Sequence, residues 1–191
     1  MKSEKEKMLS GEAYDSRDPE LLELYHNARA LIFAYNQSDS RNREERNWIL
    51  GQMLGKVATG VWIESPFFCD YGVNIEIGEN TFVNTNCMFL DNNLIKIGKN
   101  GLIAPYVQIY TTSHPLKASE RIYQEGERTG YRSSTKPVII GDNVWIGGNS
   151  VIFPGVTIGN NVTIGAGSVV TKDIPDDVLA FGNPCQVVKS I

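Results

Sequence analysis

The sequence predicts a mainly β protein: a parallel β-helix of hexapeptide repeats, with a small N-terminal α-helical segment and an extruded loop. Three observations carry this expectation. A six-residue period runs through the C-terminal part of the chain. A helical period fills the N-terminal part and then stops. Between two runs of the hexad lies a polar stretch far too long to be a corner.

The helical segment covers residues 1–58. In "DPELLELYHNARALIFAYN", Asp18 stands where an N-cap belongs and Pro19 at the first helical position. Leu21, Leu24, Tyr25, Ala28, Leu31, Ile32 and Tyr35 then recur at three- and four-residue spacing, which places them on one helical face. The polar run Asn36 to Asn42 reads as a connection. After it, "REERNWILGQMLGKV" repeats the pattern through Trp48, Ile49, Met53 and Leu54.

Residues 59–191 follow a different rule. Written in sixes from Ile140, the leading positions are Ile140, Ile146, Ile152, Ile158, Ile164 and Val170, all β-branched. The fifth positions are Val144, Ser150, Val156, Val162, Ser168 and Ile174, all small or β-branched. A chain wound in triangular coils points one such side chain per face at a narrow axis, so successive coils stack them into ladders. β-Branched residues suit the short strands, and glycine and asparagine suit the corners. Offset by eighteen residues, "IGDNVWIGGNSVIFPGVT" matches "IGNNVTIGAGSVVTKDIP" at eight positions, so three hexads form one coil. Ile77, Val83 and Phe89 keep the same step, as do Ile97, Ile103 and Ile109, with two extra residues between the blocks. A β-sandwich would alternate with period two instead.

Composition narrows the function classes. The chain has 191 residues, enough for one substantial domain with a small addition. Its formal net charge of -4 offers no support for a nucleic-acid partner. The opening "MKSEKEKMLSGE" has no apolar core of signal-peptide length, and no run of about 18 apolar residues occurs, so a cytoplasmic protein without a membrane span is expected. Cys69, Cys87 and Cys185 fit neither a disulfide framework nor a zinc pattern.

The hexad breaks after Ile109 and resumes at Val138 or Ile140. An excursion of about residues 111–136 with little apolar content is functional or disordered more often than it is a passive connection. At its start, in "QIYTTSHPLK", stands His114. A zinc role would need partners, and the only other histidine, His26, belongs to the N-terminal helix. Two readings stay open on chemistry alone, a structural histidine or a general base with a pKa near neutrality.

Several motifs resemble one family. "IYTTSHPL", "VWIGGNSVIFPGVTIG", "IGAGSVVTKDIP", "FFCDYGVNIEIG", "GNPCQVV" and the opening "MLSGEAYDSRDPEL" look like the maltose and galactoside O-acetyltransferases, and the likeness covers nearly the whole chain. It implies a left-handed parallel β-helix, assembled as a homotrimer with active sites between subunits. It implies acetyl-CoA as donor, a sugar hydroxyl as acceptor, no required metal, and direct transfer with His114 as general base. Carried over position by position, Asp70, Asn84 and Asn92 would contact the acceptor. The Gly148 N–H would stabilise the oxyanion, and Trp145, Gly148, Ala166, Thr171, Lys172 and Lys189 would line the coenzyme groove. Gln186 departs from the family's basic residue, which places one phosphate contact in doubt. Each position also has an ordinary reading: Asp70 and Asn84 as turn caps, Ala166 as a tight corner, Thr171 and Lys172 as solvated surface. Two other functions compete, a non-catalytic β-helix assembly module and an N-acyltransferase acting on an amino sugar. Coenzyme binding separates the first from an enzyme, and an acceptor panel separates the second.

Overall fold

The structure, a computed structural model, describes residues 2–191. Its body is a parallel β-solenoid with three faces. The first face stacks Lys56–Val57, Ile75–Ile77, Ile95–Ile97, Val138–Ile140 and Thr157–Ile158. The second stacks Trp62–Ile63, Phe82–Val83, Leu102–Ile103, Trp145–Ile146, Thr163–Ile164 and Val178–Gly182, and the antiparallel strand Cys185–Ser190 closes it. The third stacks Phe67–Cys69, Cys87–Leu90, Gln108–Tyr110, Val151–Ile152 and Val169–Val170. The hexad leaders pair in register, Ile97 with Ile140 and Ile140 with Ile158, Ile146 with Ile164, Ile152 with Val170.

The side chains that define the period fill the axis. All six leading residues from Ile140 to Val170 are buried, and so are all six fifth-position residues from Val144 to Ile174. Ser150 and Ser168 belong inside because each hydroxyl donates to a corner carbonyl, Ser150 to Gly147 O at 2.7 Å and Ser168 to Gly165 O at 2.5 Å.

The corner from the first face to the second carries an asparagine column. Asn80, Asn100, Asn143, Asn161 and Asp177 all sit near φ +55 to +58, the left-handed region that a sharp corner needs. Each asparagine amide donates to the next residue up: Asn100 to Asn143 at 3.0 Å, Asn143 to Asn161 at 2.9 Å, Asn161 to Asp177 at 2.8 Å.

The lower coils are longer than the upper ones. Ile77 to Ile97 is a twenty-residue step, and Ile146 to Ile164 is an eighteen-residue step. The surplus falls wholly at the corner from the third face to the first, which we call the trailing corner. Phe89 to Ile97 spans eight residues there, whereas Ile152 to Ile158 spans six. The extra length holds Asp91, Asn92 and Asn93, all buried.

Three helices close the lower end. Helix α1 (Glu4–Leu9) starts on a capping box between Ser3 and Glu6. Helix α2 (Pro19–Gln37) starts on Asp18, whose side chain accepts from Glu20 N at 3.0 Å. Helix α3 (Arg43–Met53) starts on Asn42. Tyr35, Ile49, Leu50 and Met53 join Ile63, Phe67 and Ile75 in one core that plugs the open coil. Arg46 is buried with them and donates to Tyr35 Oη and Ile63 O, both at 2.9 Å. Trp48 departs from the face expected of it and is 63% exposed, because α3 turns Ile49, Leu50 and Met53 inward. Among the described residues no helix is long and apolar enough to cross a membrane.

Candidate active site

The excursion of residues 111–136 begins and ends at the trailing corner. Thr112–Ser113 pairs antiparallel with Ser134–Thr135, which closes its base. Beyond a short turn at Ala118–Glu120 it forms a hairpin, Ile122–Glu125 against Arg128–Tyr131.

His114 follows the closed base directly and is exposed. Its Nδ1 lies 2.8 Å from the backbone oxygen of Arg132 and 3.5 Å from Ser133 Oγ. A carbonyl only accepts, so Nδ1 carries the proton and donates to Arg132 O. The remaining nitrogen, Nε2, is then the ring's proton acceptor. This is the arrangement a general base requires, with the tautomer fixed by one backbone contact.

Asp70 sits at the same corner, two coils below, because Cys69, Phe89 and Ile109 are in register. Burial raises its carboxyl pKa, and the Arg29 guanidinium, then the Asn92 side chain, pull it back. Arg29 Nη2 is 3.4 Å from Asp70 Oδ1 and also donates to Cys69 O at 2.5 Å. Asn92 is buried, and its Oδ1 accepts no hydrogen bond from the described residues. An orphaned acceptor at this depth is unfavourable unless a donor arrives from outside, and a ligand hydroxyl is such a donor.

Beside Asn92, one coil above Asp70, Asp91 is fully buried. It accepts from Asp70 N at 3.0 Å, Tyr71 N at 2.8 Å and Asn74 N at 3.2 Å. Desolvation still pushes its carboxyl up to about 7, against the pull of backbone amides including those of Tyr71 and Asn74. Asn93 ties the corner to the N-terminal arm: its amide donates to Leu9 O at 3.1 Å and Thr135 Oγ1 at 3.0 Å, and Thr135 donates to Met8 O. Tyr14 is buried in that arm, and burial pushes its phenol up to about 12 against the opposing pull of the Thr112 side chain.

The other expected residues lie elsewhere. Gly148 occupies the opposite, leading corner of the third face, where the chain arrives from the second. Its N–H bonds to no group of the described residues, and its carbonyl accepts from Gly167 N at 2.8 Å. A Cβ at Gly148 would come within 3.0 Å of Pro105 O. Exposed Ala166 stacks on this corner, since a Cβ on the coil below, at Gly147, would strike Ala166 N at 2.5 Å. Asn84 belongs to the same corner, and its Oδ1 accepts from the amide of the next residue, Thr85 N, at 2.8 Å. Trp145 lies beside it on the second face, 53% exposed. Lys189 stands on the closing strand of that face, opposite Leu179. Thr171 and Lys172 are exposed at the trailing corner, above the coil of His114.

One chain therefore gathers His114, Asp70, Asn92, Thr171 and Lys172 at one edge of the third face, and Gly148, Ala166, Asn84, Trp145 and Lys189 at or beyond the other. The strands between span roughly 10 Å, three residues at about 3.3 Å each. Tyr14, Arg29 and Asp91 were absent from the sequence-derived set. The signal for Asp91 was the two-residue surplus in the lower coils. Tyr14 and Arg29 reach the corner only through the docking of the arm and α2, which no spacing encodes. Among the described residues no three His, Cys, Asp or Glu side chains gather as a metal set.

A solenoid of hexads, a helical cap and a corner histidine define a class of acyl-transferring enzymes, and comparison with known proteins narrows it. Residues 7–58 match the maltose acetyltransferase hexapeptide capping motif, and residues 137–172 match the hexapeptide repeat of succinyl-transferase. The crystal structure of a maltose O-acetyltransferase from Clostridium difficile 630 superposes with a TM-score of 0.92 at 48% identity, covering 100% of this chain and 98% of that one. A hexapeptide-repeat acetyltransferase of Vibrio cholerae, solved with acetyl coenzyme A, superposes at 0.88 with 39% identity, covering 99% and 98%. The galactoside O-acetyltransferase of Escherichia coli K12 is 39% identical over 97% of this chain and 88% of its own length. The chain belongs to the maltose and galactoside O-acetyltransferase family of hexapeptide-repeat acetyltransferases.

Proposed function

We propose that this protein transfers the acetyl group of acetyl-CoA directly to a hydroxyl of a sugar, with His114 as general base. The observation that carries this reading is the His114 ring, whose Nδ1–H is held by Arg132 O. Nε2 takes the proton of the acceptor hydroxyl while that oxygen attacks the thioester carbonyl. The C–O bond forms, the C–S bond breaks, and the imidazolium returns its proton to the leaving coenzyme thiolate. The unbonded N–H of Gly148 suits the oxyanion that develops on the carbonyl. Asp70 and the orphaned Asn92 Oδ1 accept from acceptor hydroxyls. Exposed Trp145, Ala166, Thr171, Lys172 and Lys189 supply an open, partly basic groove for the donor.

The division of these groups between two edges of one face favours a site shared by two copies. A three-fold assembly of left-handed β-helices would set the trailing corner of one subunit against the leading corner of the next, so that each His114 meets a neighbour's Gly148. The test is His114→Ala with acetyl-CoA and a panel of sugars, reading free thiol. The variant keeps its secondary structure and oligomeric mass and loses at least about 100-fold in turnover. Near-normal transfer by it would overturn the base assignment. An unreactive wild type on sugars that acetylates amino sugars would favour the N-acyl reading.

A further inference from the structure

Tyr106 stands at the leading corner of the third face with φ +62. Among the described residues eight other than glycine hold a positive φ: six asparagines, Asp177 and Tyr106. A corner of this rod needs the left-handed region, and asparagine or glycine enters it at lower cost than an aromatic residue. The column shows those alternatives, with Asn86 one coil below Tyr106, Asn149 one coil above and Gly167 above that. The corner's backbone gains nothing from the phenol. Tyr106 N donates to Thr85 O at 3.1 Å and Asn149 N to Pro105 O at 3.0 Å, bonds that do not depend on the side chain. The residue is 52% exposed, so packing within the chain offsets little of the strain.

Strained residues of this kind cluster at functional sites, and the height of Tyr106 in the rod indicates the function. On the reading above, the acceptor contacts Asp70, Asn84 and Asn92 lie in the two coils below it. Gly148 and Ala166, on the donor's side, lie in the two coils above. The coil between them carries Tyr106 at its leading corner and His114 beyond its trailing one. In the shared site, Tyr106 of one subunit and His114 of the next therefore stand at the same level.

We propose that Tyr106 is an acceptor-binding residue acting across the subunit boundary, its ring packed on the C–H face of the sugar that the neighbour's His114 deprotonates. A phenol suits this task, with an apolar face for ring C–H groups and a hydroxyl that donates or accepts at the edge. The proposal rests on the acetyl-transfer reading and on the shared site. It accounts for a corner that gives up stability for a residue the fold does not need.

The experiment takes maltose as acceptor and compares wild type, Tyr106→Asn and Tyr106→Phe. Tyr106→Asn raises the KM for maltose about tenfold, the worth of one well-placed aromatic contact, and leaves the KM for acetyl-CoA unchanged. The same variant unfolds at a higher urea concentration than wild type, which separates lost binding from lost structure. Tyr106→Phe keeps the ring, and with it the wild-type midpoint and most of the affinity for maltose. An unchanged KM for maltose in Tyr106→Asn, a rise in the KM for acetyl-CoA instead, or a lower urea midpoint overturns the proposal. Loss of the trimer in sedimentation also overturns it, because the ring is then interface packing. If wild type acetylates no sugar, the reaction reading fails by itself, and saturation-transfer NMR of maltose decides the contact. Transfer that Tyr106→Asn weakens and Tyr106→Phe restores upholds it. Transfer that the substitution leaves unchanged, or none in wild type, overturns it.

Discussion

Single residues at the two corners of the third face are held in states that water would not choose, and two of them give measurable consequences. Asp91 is the clearer case. Its folded pKa of about 7 exceeds the unfolded value of about 3.9. The folded state therefore holds its proton more tightly, so this stabilisation is complete below about pH 4 and is lost as pH rises towards 7. Urea unfolding should show stability falling by roughly 2 kcal/mol between pH 5 and pH 7 from this group, with Asp91→Asn removing most of that slope. Asp70 shifts the same way. Tyr106 is the second case. It holds φ +62 at the leading corner, where its column has Asn86, Asn149 and Gly167. An aromatic side chain in that region costs about 1–2 kcal/mol. Tyr106→Asn should raise the unfolding free energy by about 1 kcal/mol, because asparagine tolerates the conformation. Tyr106 also shows the limit of residue-level reading: "APYV" looks like any corner, and only the angle reveals the strain.

At the scale of elements, the sequence and the structure part company selectively. The ladders were legible because each hexad repeats the same steric demand, and the two longer helices because Asp18 and Pro19 announce the first of them. Helix α1 was less visible: six residues carry almost no periodicity, though "SEKE" holds the capping box that starts it. His114 was legible as the one histidine where regularity fails, while its tautomer depends on a carbonyl eighteen residues away. The hairpin was hidden for a plain reason. Its strands face solvent, so no alternation of apolar residues betrays them, and its order comes from contacts with the arm. Those contacts are one surface ion pair, Arg128 with Asp15, and one cation–π contact, Arg17 over Tyr131, each worth about 1 kcal/mol or less. Arg128→Ala should therefore barely move the global midpoint, yet speed amide exchange across residues 122–131 in hydrogen–deuterium exchange.

The whole molecule is a stack in which each coil supports the next. Ile146 is fully buried between Ile103 and Ile164, so Ile146→Ala should cost about 2–5 kcal/mol in thermal or urea unfolding. Assembly gives the other test at this scale. If the active site is shared, His114→Ala trimers and trimers with a blocked groove, Ala166→Arg, are both inactive. Random co-assembly of the two in a cyclic trimer restores about a quarter of the sites. Sedimentation establishes the trimer, and absence of rescue in verified mixed trimers would place the whole site within one chain.

The closed base of the excursion has an evolutionary consequence. Because Thr112–Ser113 and Ser134–Thr135 bring the chain out and back at one corner, the rungs above and below remain in register whatever lies between. Loop closure grows only with the logarithm of length, so residues can be added or lost there at little cost to folding. The rod and His114 at its edge keep their places, and the hairpin is a replaceable attachment. New acceptor preferences can arise by insertion at one point, without passing through unfolded intermediates.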